Sequence, residues 1–405
     1  MIRLALFILL IQTNTQLLPL EHFYEQAISF IKAEDYEAAI EKLEAIYGEE
    51  PSHVPTIFNL ALCLSDTGRL EKAIELYREA LDLDPGLFEA QMNLAMLLHE
   101  SGKIEQALET FERASKIAPN DPVPVIYRAR ELDQMERQLE AEQAYLAALR
   151  IDNGLPSAWE ALGFLYRRMG RNQDARSALL KAEELGVKSP SLFVNLGDLS
   201  VEQRELKTAK QYFEKAHLLA ANDSDVQLRL ALVLRDLEEF PGAISLLKNL
   251  PEAHEALAEA YFASKDYSNS AIEYEALVEK DLKNSKFWYL LGRSLFEMDR
   301  REEAIPYLQK SLTLEPTRVG AWGTLAAIHY SEEDWLSTIS MLLKYLELDP
   351  EHAPSHFAIA TSYDNLRDFE KALLHYNKFT ELDDGSNDVR SFQVRQRIKV
   401  LQQFL

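Results

Sequence analysis

The sequence predicts an all-α fold, a solenoid of stacked helix pairs, and three observations predict it. The composition is helical: Ala, Leu, Glu and Lys dominate, Gly and Pro are sparse, and runs alternating with period two are hard to find. At 405 residues the chain is too long for one ordinary compact domain unless it is repetitive. And it is repetitive. EKAIELYREALDLDP at 71–85 returns as EQALETFERASKIAP at 105–119 and as EEAIPYLQKSLTLEP at 302–316.

The first residues stand apart from this pattern. MIRLALFILLIQTNTQ has a basic start at Arg3, an apolar run from Leu4 to Ile11, and small polar residues after it. That is the layout of a secretory signal peptide over 1–15, and the run is too short to span a bilayer. Thr13 and Thr15 stand where alanine would be usual at a cleavage site, so an apolar cap on the first repeat is the competing reading. Export to a periplasmic or secreted location is the expectation, with a cytoplasmic location as the alternative. No later segment is apolar enough to cross a membrane, so no insertion of the mature chain is expected.

From Ala39 the repeat can be followed by a step of 34: Ala73, Ala107, Ala141, Ala175, Ala209 and Ala243. The register then slips once, by 27, to Ser270, and 34 holds again to Ala304, Thr338 and Ala372. Twelve residues earlier lies a second small residue in every unit, from Ala27 to Ala360. Two small positions per unit let two helices approach closely. Four residues after the second small position comes a large apolar one, such as Tyr77, Phe111 or Leu308, on the same helix face. Many units then close on proline, as at Pro85, Pro119 and Pro316, which ends the second helix.

These residues resemble the tetratricopeptide repeat (TPR) family. WEALGFLY at 159–166 carries that family's Trp-x2-Leu-Gly-x2-Tyr pattern, and ALETFERASKIAP at 107–119 its Ala-x3-Phe and closing Pro. The resemblance covers about nine tenths of the chain, in eleven units over 20–386. It implies antiparallel helix pairs in a right-handed superhelix, with the first helix of each pair lining a concave groove. A lone pair cannot bury its apolar face, so repetition supplies the core.

Unit seven lacks its last seven positions, because Pro251 opens the next unit. A tolerated deletion and a hinge between two sub-solenoids, 20–250 and 251–386, both fit. The tail 387–405 reads as a capping helix, with Phe392, Ile398 and Leu401 among basic residues.

The charge, 43 basic against 66 acidic residues, argues against nucleic acid and anionic membranes as partners. Phosphate-loop, serine-elbow and zinc-protease motifs are absent, and the single cysteine, Cys63, reads as a buried hydrophobe. His352 and His356 straddle an inter-unit loop around Pro354, which does not suit a metal pair. No enzyme activity, cofactor or metal is therefore expected. Asn222-Asp-Ser224 is one plain glycosylation sequon in a predicted loop.

Function should lie in the groove. Under the resemblance, Tyr24, Ile28, Phe58, Leu62, Met92 and Met96 form an exposed apolar strip, with Phe58, Met92 and Met96 as anchors. Asn59, Asn93 and Asn195 occupy a position at which some family members hold a peptide main chain. The basic clamp that other members use on acidic C-termini is replaced by Phe58, Met92 and Val194. Residues 122–189 hold ten basic and ten acidic side chains, and Arg130, Arg167 and Arg168 fall at groove positions, a candidate docking point for a carboxylate or phosphate. The leading expectation is a non-catalytic scaffold that binds an extended peptide or a partner helix. The alternative is a regulatory or targeting subunit that presents substrates to a separate glycosyltransferase or protease. Oligomeric state is left open.

Overall fold

The computed structural model describes residues 19–383 and 388–404, and the expected export signal at 1–15 lies outside them. Among the described residues every regular element is a helix. The chain divides into two compact units, Met1–Leu199 and Ser200–Leu405. The first four helix pairs are α1 (Pro19–Lys32) with α2 (Tyr36–Glu49), α3 (Val54–Asp66) with α4 (Leu70–Leu83), α5 (Phe88–Glu100) with α6 (Ile104–Ile117), and α7 (Val123–Gln134) with α8 (Gln138–Ile151). Pair 5 is α9 (Pro156–Arg168) with α10 (Asn172–Glu184); pair 6 is α11 (Pro190–Glu202) with α12 (Leu206–Leu219).

In the second unit pair 7 is α13 (Ser224–Asp236) with α14 (Phe240–Leu247), and pair 8 is α15 (His254–Ala263) with α16 (Tyr267–Lys280). Pairs 9 to 11 are α17 (Ser285–Glu297) with α18 (Arg301–Leu314), α19 (Val319–Ser331) with α20 (Trp335–Leu348), and α21 (Ala353–Asn365) with α22 (Phe369–Leu382). The last helix, α23 (Asp388–Leu401), follows. The eleven pairs and the terminal helix are those the sequence predicts.

The small positions are where the helices touch. From Ala39 to Ala372, every residue of the second-helix series is fully buried. Three first-helix positions of this series are glycine, Gly163, Gly197 and Gly292, and at Gly163 and Gly292 a larger residue would collide. A Cβ on Gly163 would lie 2.6 Å from Leu179 Cγ, and one on Gly292 would lie 2.8 Å from Leu308 Cγ. Tyr77, Tyr145, Tyr274, Phe111 and Phe213 are among the most deeply buried large side chains.

One device closes the turn within each pair. Gly68 takes a left-handed φ of 78°, its N–H donates to Ser65, and the Arg69 N–H reaches back to the Leu64 carbonyl at 2.8 Å. This is a Schellman close, which satisfies carbonyls that the helix end leaves open. The same left-handed residue recurs at Gly102 and Gly170. Elsewhere it is not glycine: Glu34, Glu136, Arg204, Glu238, Lys265, Asp299, Glu333 and Arg367 all have φ near 60°. Each such residue costs roughly 1–2 kcal/mol against glycine.

A second device pins the loop between pairs. Trp159, Trp288 and Trp322 each donate Nε1–H to the carbonyl six residues earlier, that of Asn153, Leu282 and Pro316 respectively. Gln227 and His356 hold the same position and reach the Ala221 and Pro350 carbonyls.

The shortening in pair 7 falls on its second helix, as expected, and α14 has eight residues. The division into compact units, however, falls inside α11 and not at residue 250. Ala231, Leu247, Leu250, Ala253, Leu257, Ala260 and Tyr261 form one cluster, so apolar packing runs straight through the register slip. In α23, Val394 and Leu401 close the cluster around Tyr376 and Phe379, and Arg397 holds Asp364 at 2.6 Å. Phe392, expected among the capping side chains, is 58% exposed.

Candidate functional site: the first-helix face of pairs 1 to 6

The amino-terminal strip departs from expectation. Phe58 is 2% exposed and Met92 8%, Ile28 and Leu62 are buried, and Met96 packs partly buried against the same cluster. The Phe58 ring meets Tyr77 edge-on at 5.8 Å. These side chains are core: Ile28, Phe58 and Met92 belong to one apolar cluster with residues of pairs 1 to 3, and Tyr24 and Met96 pack against it. The asparagines are engaged as well. Asn59 is fully buried, and its Nδ2 donates to the Tyr24 hydroxyl at 2.9 Å and to the Pro55 carbonyl at 2.8 Å. Asn93 donates to the Tyr77 hydroxyl at 3.3 Å. Tyr24 also packs edge-on against His53, and burial pushes its phenol up to about 12. The expected peptide-holding asparagines and apolar anchors of pairs 1 to 3 thus serve the fold.

Farther along the first unit the same face opens. A cleft of about 560 Å³ lies between α9 and α11, lined by Phe164, Arg167, Arg168, Ser191 and Asn195. Helical spacing puts Phe164, Arg167 and Arg168 over one another, and Ser191 and Asn195 likewise. Arg167 donates to Asn172 Oδ1 at 3.2 Å, and Arg168 pairs with Asp133 on α7. Asn195 turns its Nδ2 onto the Ser191 carbonyl of its own helix at 2.9 Å. Behind them stands Tyr145, whose phenol is pushed up to about 12 by burial and by Asp133, against the pull of Arg130 and Arg168. Arg130 lies 5.9 Å from the Tyr127 ring and does not line the cleft. Arg167, Arg168 and Asn195 are therefore brought together, and Arg130 stands to one side. Sequence reading missed Phe164 and Ser191; helical spacing from Arg167 and Asn195 was the signal for both.

Cys63 is fully buried, and burial pushes its thiol up to about 12. His352 and His356 do not converge. His352 meets Ser355 Oγ at 2.8 Å, and His356 faces His375, with Nδ1 to Nδ1 at 3.0 Å. The Pro350 carbonyl can only accept, so His356 carries its hydrogen on Nε2 and accepts from His375 at Nδ1. Among the described residues no group of three or more His, Cys, Asp or Glu could hold a metal ion. No helix among them is long and apolar enough to cross a membrane. Asn222 is exposed in the turn before α13. A pair the sequence did not suggest, buried Glu131 with the half-exposed His99 at 2.9 Å, ties α7 to α5.

The chain is similar to known repeat proteins. The chain is 25% identical to the TPR repeat-containing protein YpiA of Bacillus subtilis, over 87% of each chain. It is 23% identical to the protein O-mannosyl-transferase TMTC3 of Homo sapiens, over 82% of this chain but 34% of that one. Among solved structures, that of Naa15/Naa10 bound to HypK-THB aligns over 93% of this chain and 65% of that one, at 17% identity and a TM-score of 0.41. The family model described as the cilia and flagella-associated protein 70 C-terminal domain matches residues 25–256, more than half of the chain. The tetratricopeptide repeat model matches 285–318 and 353–385. The chain belongs to the tetratricopeptide repeat family, with residues 25–256 in the group described by the cilia and flagella-associated protein 70 C-terminal domain.

Proposed function

We propose that this protein is a non-catalytic protein-interaction scaffold, and that the arginine cleft between α9 and α11 receives a carboxylate of a partner protein. The observation that carries the reading is the pairing of Arg167 and Arg168 in one cleft of a chain whose net charge is −23. A guanidinium gains more from a carboxylate than from a neutral amide, so an incoming acidic group competes well with Asn172 for Arg167. Phe164 supplies an apolar wall, and Ser191 and Asn195 supply polar groups for a main chain. The residue pattern at 1–15 further supports a place outside the cytoplasm; amino-terminal sequencing of natively expressed protein tests this, and an intact Met1 on cytosolic protein would sink it.

The direct test is titration of the full chain with a fluorescent peptide ending in consecutive glutamates. Arg167→Glu with Arg168→Glu should weaken binding about tenfold or more, and added salt should weaken it in the wild type. Equal binding by wild type and double variant would refute the assignment. A second reading, a subunit that presents substrates to a separate enzyme, draws support from the alignment with part of a protein named as an O-mannosyl-transferase. A stoichiometric enzyme in the natively purified complex would favour it.

A further inference from the structure

Pair 10 departs from its neighbours on the first-helix face. The fifth position of the repeat carries Leu228 in pair 7, Tyr289 in pair 9 and Phe357 in pair 11, but Gly323 in pair 10. Four residues on, where pair 9 has Arg293 and pair 11 has Thr361, pair 10 has Ala327. Two consecutive turns of α19 therefore lack the bulk that fills this face elsewhere.

The missing volume is a notch of about 290 Å³. Leu342 lies buried beneath it, Ala327 is exposed at its mouth, and Tyr330, Tyr345 and His352 stand around it. Its walls are fixed in advance. The Tyr345 ring lies 4.7 Å from the His352 ring, and Tyr330 packs edge-on against Trp335 at 5.4 Å. His352 is held in turn by Ser355. The volume lies at the lower end of small-molecule sites and suits one large side chain.

The surroundings are acidic. Residues 319–383 hold eleven acidic and four basic side chains. Three of the four basic ones are already engaged: Lys344 with Glu347, Lys371 with Asp368, and Lys378 with Glu381. Glu332, Glu333 and Glu351 are exposed on the loops next to the notch. A segment entering here meets an apolar hole inside a negative field.

We propose that the notch of pair 10 docks a single aromatic side chain, tryptophan or phenylalanine, carried on a lysine- or arginine-rich segment of a partner protein. The aromatic ring fills the space that Gly323 and Ala327 leave, and the basic flanks meet the acidic loops. The site uses only residues of the second compact unit, and it goes beyond the carboxylate reading of the arginine cleft.

The test uses the full chain and labelled short peptides read by fluorescence anisotropy. One peptide has a central tryptophan with lysine flanks; the second has alanine in place of the tryptophan; the third keeps the tryptophan with glutamate flanks. The first should bind, and each of the others should bind about tenfold more weakly or worse. Gly323→Leu and Ala327→Leu should each weaken the first peptide about tenfold. Ala327 is exposed, so its leucine variant keeps the fold even if Gly323→Leu crowds Tyr345; unchanged circular dichroism checks this. Arg167→Glu with Arg168→Glu should leave this peptide unaffected, which separates a failure here from a failure of the arginine cleft. Equal binding of the tryptophan and alanine peptides would reduce the site to a nonspecific acidic surface and overturn the proposal. So would unchanged binding in the two leucine variants. Competition by N-acetyltryptophanamide as strong as by the lysine-flanked peptide would make the notch a small-molecule pocket, and the proposal would fall.

Discussion

Pairs 2 and 10 present equivalent positions of one repeat in opposite states. In pair 2 the fifth position is Phe58, 2% exposed, and the ninth is the buried Leu62. In pair 10 the same two positions are Gly323 and Ala327, and a notch opens. Backbone register is shared, so the difference lies wholly in side-chain volume. In a repeat fold each unit has the same obligation to bury a core, and the places free to bind are those where one unit breaks the pattern of its neighbours. The amino-terminal face looks more like a binding strip when read as letters, because its residues are large and apolar. They are large because they are packed.

The largest effect that would break this comparison is expected at Phe58. Phe58→Ala should destabilise the chain by about 3–5 kcal/mol in urea unfolding, as core truncations do. A loss below about 1 kcal/mol would return Phe58 to the surface and revive the amino-terminal strip as a site.

The glycines give a sharper version. Gly163 and Gly323 are the same residue kept for different reasons. At Gly163 an added methyl would strike Leu179 at 2.6 Å, whereas at Gly323 it would meet the edge of Tyr345 at 3.2 Å. Gly163→Ala should cost about 1–3 kcal/mol by overpacking. Gly323→Ala should cost clearly less in the same thermal melts, and equal losses would mean that the notch is structural.

Pair 11 offers a comparison by pH. The loop-pinning position filled by Trp159, Trp288 and Trp322 is His356 here, and His356 abuts His375. Burial, with His356 beside it, lowers His375 to about 4. Burial likewise lowers His356, helped by Lys378 and His352 and opposed by the Pro350 carbonyl and Glu381. Both are neutral in the folded chain at pH 7. The unfolded chain takes up their protons from about pH 6.5 downward, so this stability is full above that value and is lost as pH falls toward about 4. The loss should be on the order of 1 kcal/mol after solvent screening. Replacing both histidines by asparagine should flatten the pH 4–6.5 slope of the melting temperature; an unchanged slope would assign it to other groups.

The smallest expected effect is the most telling for the notch. Ala327→Leu should change stability by less than about 0.5 kcal/mol, because its side chain faces outward. A large loss would show that pair 10 uses this position for packing, as pair 2 does.

Most of the fold was legible in the letters, and most of the candidate sites were not. The small residues at 34-residue steps mark helix contacts, because close approach of two helices tolerates only Ala, Ser, Thr or Gly. The truncation of pair 7 was legible from Pro251, which opens the next unit seven residues early. The partners of Asn59 and Asn93 were illegible, because Tyr24 and Tyr77 reach them from other helices.

What the sequence by itself determined is the period: how many pairs, where each helix stops, and which positions touch within a pair. Those follow from local backbone rules and from contacts that recur in every unit. What only the tertiary structure decided is which first-helix side chains are buried and which face open space. That depends on the particular volumes of side chains on neighbouring helices. The same position is core at Phe58, where Tyr77 packs against it, and part of a notch at Gly323, where no side chain fills the space beside Tyr345. Left-handed turns at Glu136 or Glu238 belong to the same class, because packing of the pair on both sides enforces a backbone that the residue alone would avoid.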